Sequence, residues 1–270
     1  MEQVLNQQLK RLEKQEQKIL TQSDHTFIND KISPVMDKIQ SKIPEKLIDV
    51  LDKAINKGFQ LVFEKGSPYI ERTYNKEKIE LNHDINNYAL NKKFSKEHIK
   101  RLDKQSKQSK LVNSTFSVLE GSILGLLGIG LPDIPLFLSV ILRTNYEVAL
   151  SYGYQCDAPE ERNYMLLLIC GAITKGEQQK EFDKILEQLG EKIDKNIDSN
   201  YDTEKLVAAT SKVLSEALLT AKFIQGIPVV GVVGGVVNYN IVNRIAKYAR
   251  IKYKKRYLHK RIEIEEFPPN

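Results

Sequence analysis

The chain of 270 residues has no tryptophan, only two cysteines, nine prolines and fourteen glycines. So few cysteines exclude a disulfide-built scaffold. No apolar, cleavable leader opens the sequence, so Cys156 and Cys170 are expected as free thiols in a cytoplasmic protein. Scarce glycine and proline exclude collagen-like or low-complexity chains, and 41% hydrophobic residues with nearly balanced charge exclude wholesale disorder. Strand signals are missing too: apolar and polar residues do not alternate, and no Asn-Gly or Asp-Gly turn joins such runs. The phosphate-binding Gly-x-x-x-x-Gly-Lys-Ser/Thr loop, the Ser-hydrolase elbow, the paired-cysteine motif and the dinucleotide loop are all absent. His25, His83, His98 and His259 are scattered without ligand-pair spacing. No metal and no cofactor is therefore expected.

What is present is helical periodicity. Val4, Leu5, Leu9, Leu12, Ile19 and Leu20 form a sparse stripe in the opening segment, suited to a helix that docks weakly or on a partner. Pro44 marks a second start, and Leu47, Ile48, Leu51, Ile55, Phe59, Val62 and Phe63 make a broad apolar face that Gly66 and Pro68 stop. Residues 74–110 are polar and predict one or two exposed helices, including one near 79–90, before the basic run KRLDKQSKQSK. An amphipathic helix is predicted over 177–193, and Asp202 is a natural N-cap for the helix after it.

Three blocks are much more apolar: 115–142, 164–173 and 217–242. The first is long enough to span a bilayer, which needs roughly 20 apolar residues, but Pro132 and Pro135 bracket Asp133 in its middle. The third breaks at Gly226-Ile227-Pro228. Both read as Gly/Pro-broken helical hairpins, either buried in a core or touching a membrane. At an offset of 96, Glu120, Gly130 and Pro132 match Glu216, Gly226 and Pro228, by internal duplication or by similar packing demands. The expected fold is an all-α, multi-helix bundle built around these hairpins, with a helical N-terminal region over 1–110 and an apolar core with a basic final helix over 111–262.

The net charge is +6, and its cationic excess gathers late in the chain. Arg244, Lys247, Arg250, Lys252, Lys254, Lys255, Arg256, Lys260 and Arg261 occur before the first acid, Glu263, interleaved with Ile245, Tyr248, Ile251, Tyr253, Tyr257 and Leu258. Such a basic, aromatic helix is expected to lie on anionic headgroups, each cation contributing on the order of 1 kcal/mol. The competing reading is a helix whose Lys and Arg stems cover the core. Charge concentrated in this way does not favour nucleic acid.

Polar residues inside apolar text form the other candidate site. Ser139, Arg143 and Glu147 stand at i, i+4 and i+8, and Glu120, Asp133, Glu216, Lys222, Gln225 and Asn238 lie in the two large blocks. Packed together, they would make either a structural ion-pair network or a polar pocket for an anionic headgroup or carboxylate.

The runs GIGLPDIPLFLSVILRTNYEVALSYGY, PEERNYMLLLI and KFIQGIPVVGVVGGVVNYNIVNRIAKYARIKYKKRYL occur in an order that resembles the EcsC protein family over about 116–258. That resemblance implies a mostly helical, cytoplasmic or membrane-associated bacterial protein, in a family named after a companion of an ATP-binding-cassette transporter. It implies no reaction. The leading expectation is a membrane-peripheral accessory protein at the inner face of the membrane, contacting anionic lipid or a membrane protein. The alternative is a hydrolase-type enzyme acting on a lipid or acyl substrate in the polar pocket.

Overall fold

The computed structural model describes residues 2–21, 43–66, 70–92, 95–107, 133–224 and 235–266. Among them are nine α-helices and no strand: α1 (Glu2–Thr21), α2 (Glu45–Leu61), α3 (Lys76–Lys92), α4 (Lys96–Lys107), α5 (Asp133–Ser151), α6 (Pro159–Ile173), α7 (Gly176–Asp194), α8 (Thr203–Ile224) and α9 (Gly235–Glu266). A π turn, Val62–Gly66, extends α2. The predicted all-α bundle is the observed architecture. The Gly/Pro breaks at 130–132 and 226–228 lie outside the described residues, so only the arms that follow or precede them, α5, α8 and α9, are seen.

Local chemistry explains the starts. Asp202 accepts hydrogen bonds from the backbone N–H groups of Glu204 and Lys205 at 3.0 and 3.2 Å, capping α8 as its sequence predicts. Asn75 caps α3 in the same way through Lys78 N–H at 2.8 Å, and Ser95 caps α4 through His98 N–H. Pro159 sits at the first position of α6, where a missing N–H costs nothing. Pro44 stands one place earlier relative to its helix than expected, as the residue before the first turn of α2.

Five helices close a circuit: α5 packs on α9, α9 on α6, α6 on α8, α8 on α2, and α2 back on α5. α6 is buried from Tyr164 through Ile173, as a helix apolar on every side must be. Tyr248 of α9 packs so closely on Gly171 of α6 that a Cβ there would lie 2.9 Å from the phenol oxygen. α7 covers α6, α1 lies over α9 and α7, and the α3–α4 pair covers α5. One hydrophobic cluster runs through all nine helices, from Leu5, Leu9 and Leu12 of α1 to Leu258 of α9. Full burial of each such leucine stabilises the fold by about 2 kcal/mol. Cys156 and Cys170 are buried free thiols. Among the described residues, no helix is long and apolar enough to cross a membrane.

Candidate functional site

α9 has 32 residues, roughly 48 Å of helix, and it runs through the interior rather than along the surface. The expectation of a cationic face turned toward headgroups is therefore corrected for its central residues. Lys252 is 1% exposed, and Lys254 and Arg256 are also buried. A buried charge persists only with partners, and acids from four other helices supply them.

Lys252 Nζ is bonded to Glu16 of α1 and lies 2.5 Å from Asp183 and 2.9 Å from Glu187 of α7. Lys255 Nζ shares two of these acids, at 2.9 Å from Glu16 and 2.7 Å from Glu187. The phenol of Tyr248 donates to Asp183. Lys254 pairs with Asp103 of α4 at 2.8 Å and donates to Gln8 of α1 at 3.2 Å. Burial alone would lower the Lys252 pKa, but Glu16, Glu187 and Asp183 outweigh it and raise it. Burial likewise works to raise that of Glu187, yet Lys252 and Lys255 pull it down to about 2.

Arg256 makes the most specific contacts. Its guanidinium donates to both oxygens of Glu161 at 2.8 and 3.3 Å and to both oxygens of Asp194 at 2.9 and 2.7 Å. Its carbon lies 4.2 Å from the ring centre of Tyr154, 4.4 Å from Tyr164 and 5.7 Å from Tyr253, so three tyrosines cage the cation. Gly190 provides the room: a Cβ there would lie 3.0 Å from Tyr164 and 3.2 Å from Arg256. Burial raises the pKa of Glu161 against the pull of Arg256, whereas burial of Arg256 is overcome by Glu161 and Asp194, which hold it charged.

The remaining basic residues of the sequence-predicted set divide. Lys247 and Lys260 are exposed, and Arg244 and Arg250 are half-buried, with pKa values lowered by burial. Arg244 donates to the carbonyl of Thr174 at 3.2 Å. Arg261 bonds Asn87 and Asn91 of α3.

The interior polar cluster is only partly assembled. Arg143 and Glu147 form an ion pair at 3.0 Å, but Ser139 turns back to the Pro135 carbonyl at 2.7 Å. Glu216 is half-buried on α8. Glu120 and Gln225 lie outside the described residues, as do the side chains of Asp133, Lys222 and Asn238. Sequence reasoning missed instead the acids at 16, 103, 161, 183, 187 and 194. Asp183, Glu187 and Asp194 follow i, i+4, i+11 spacing on α7, and that regular acidic face was the available signal.

Chemically, this arrangement is a lock. Glu16, Asp183 and Glu187 place three carboxylate oxygens within 4.8 Å of one another, a spacing that suits a metal ion, and the Lys252 ammonium supplies the compensating cation among them. A cleft of about 110 Å³ opens beside it, lined by Tyr164, Asp194, Lys255, Arg256 and His259 among others. Because Glu187 is held near 2, its contribution is fully present above its ordinary pKa of 4.5 and is lost as pH falls toward 2. Urea unfolding across that acid window is expected to show falling stability, with a shallower fall in Glu187→Gln.

An all-helical protein whose basic carboxy-terminal helix is internalised by acids of its own bundle is the class these observations define. The EcsC protein family model matches residues 6–258, nearly the whole chain, and the chain belongs to that family. No curated protein and no solved structure matches.

Proposed function

We propose that this protein is a non-enzymatic, EcsC-like accessory protein that sits peripherally on an anionic membrane surface at the cytoplasmic face. The supporting observation is how charge is divided between the α9 network and the rest of the chain. In the α9 network, Lys252, Lys254, Lys255 and Arg256 meet Glu16, Asp103, Glu161, Asp183, Glu187 and Asp194. Four cations against six acids leave a formal −2 there, so the rest of a +6 chain carries +8. The network is thus acidic on balance, with Asp103, Asp183, Glu187 and Asp194 half-buried at its edge, and the cationic excess of the chain lies outside it. Surfaces of that sign gain from anionic headgroups and lose the gain as salt screens them.

Co-flotation with vesicles tests this. The protein is expected to float with phosphatidylcholine vesicles containing phosphatidylglycerol, to stay behind with phosphatidylcholine alone, and to be released by high salt. Equal recovery with both vesicles, or a preference for duplex DNA over lipid, would sink the proposal. The hydrolase-type alternative draws little support from the described polar residues, since Arg143 and Glu147 satisfy each other and Ser139 bonds its own helix.

A further inference from the structure

We infer that the α3–α4 hairpin is the face that meets the anionic bilayer, with α4 supplying cations and α3 an apolar ridge; this rests on the peripheral reading above. α4 turns Ile99, Leu102 and Ser106 inward, and these are at most 2% exposed. Its other side presents Lys96, Lys100, Arg101, Lys104 and Lys107 to solvent, none of them in an ion pair with a described residue. Asp103, which would oppose them, is taken by Lys254. The α9 helix therefore contributes indirectly: it withdraws an acid from the α4 surface.

α3 adds what electrostatics alone lacks. Its inner side is fixed by Gln105, which donates to the Ile79 carbonyl at 2.8 Å, by His83 against the Ser151 carbonyl at 3.2 Å, and by Arg261 on Asn87. Its outer side exposes Leu81 at 60%, Ile85 at 56% and Tyr88 at 63%, an i, i+4, i+7 ridge two turns long. Single exposed apolar residues are ordinary; three aligned ones on one helix mark a contact surface. Lys78 and Lys92 stand at the two ends of the ridge, both exposed, and the Lys92 ammonium lies 5.6 Å from the Tyr88 ring centre.

Charge selects the occupant. Seven exposed cations on the hairpin face three exposed acids, Glu77, Asp84 and Glu97. Leu and Ile entering the acyl boundary, Tyr at headgroup depth and flanking Lys reaching phosphate is the arrangement an interfacial helix uses. A second copy of this face would instead meet like charge across the contact.

The 270 residues include no tryptophan, so Tyr88→Trp places a single tryptophan on the ridge. Its emission is expected to shift to the blue with phosphatidylglycerol-containing vesicles and not with phosphatidylcholine alone. The set Lys100→Gln, Arg101→Gln, Lys104→Gln is expected to weaken binding about a hundredfold, from about 1 kcal/mol per cation. The set Lys10→Gln, Lys14→Gln, Lys18→Gln removes equal charge from exposed positions of α1 and is expected to leave binding unchanged. Leu81→Gln, Ile85→Gln, Tyr88→Gln is expected to remove binding with thermal unfolding intact, because these side chains face solvent.

If wild type floats but the hairpin sets float equally well, or the α1 set loses as much as the α4 set, the hairpin assignment is overturned while the peripheral reading stands. If wild type fails to float, both fall. A lipid-free dimer abolished by the ridge set would overturn the assignment by giving the ridge to a second copy.

Discussion

Arg256→Met is expected to lower unfolding free energy by about 3–5 kcal/mol, which in a chain of this size moves the midpoint by on the order of 10 °C. Methionine fits the volume between Tyr154, Tyr164 and Tyr253, so the loss is electrostatic rather than a cavity. Removing the guanidinium strands Glu161, which is 2% exposed, and leaves Asp194 without its bidentate partner. Arg256→Lys is expected to recover only part of the loss, because an ammonium cannot present paired donors to two carboxylates or lie flat on the rings. The double change Glu161→Gln with Arg256→Met is expected to cost less than the sum of its parts, since the buried carboxylate is no longer abandoned. Thermal and urea unfolding of wild type, Glu161→Gln, Arg256→Met and the double variant measure this directly, and strict additivity would mean that the pair is not coupled.

The second large effect is at Lys252. Lys252→Met leaves Glu16, Asp183 and Glu187 around one remaining ammonium, Lys255, and is expected to cost a similar 3–5 kcal/mol at neutral pH. The pH dependence then separates charge from packing. In wild type the lowered Glu187 pKa makes acid destabilising. In Lys252→Met, protonating the crowded carboxylates relieves their repulsion, so the deficit relative to wild type is expected to shrink as pH falls below about 4.5. A deficit that stays constant from neutral to acid pH would assign the loss to packing of the lysine stem. Glu16→Gln offers a milder version, with α1 loosened because its buried stripe ends on that acid.

Much of the architecture was legible because it follows from local signals. The stripe of α1, the face of α2, the span of α7 and the Asp202 cap depend on spacing and on short side chains beside the orphan amides of a helix start. The depth of α9 was not legible. Its Lys, Arg and Tyr pattern is equally that of a surface helix, and what buries it are acids at positions 16, 103, 161, 183, 187 and 194, on four different helices. Periodicity describes one helix at a time; neutralisation is a property of several. The polar cluster failed for a related reason. Ser139 shares a face with Arg143, but a serine in a buried helix bonds most cheaply to the carbonyl four residues back, which is what it does. For the α4 surface the reverse holds: the basic run was plain to see, while the ridge beside it emerges only once α3 has shown which side it buries.

The bond from Lys252 to Glu16 joins residues 236 positions apart. Before α9 is made, docking α1 on α7 would bring Glu16, Asp183 and Glu187 together with no Lys252 or Lys255 among them, and α6 would lack the helix that covers one flank. Closure of the bundle is therefore expected to wait until synthesis reaches the cations, and an interrupted translation product is expected to be cleaved by added protease faster than the finished chain.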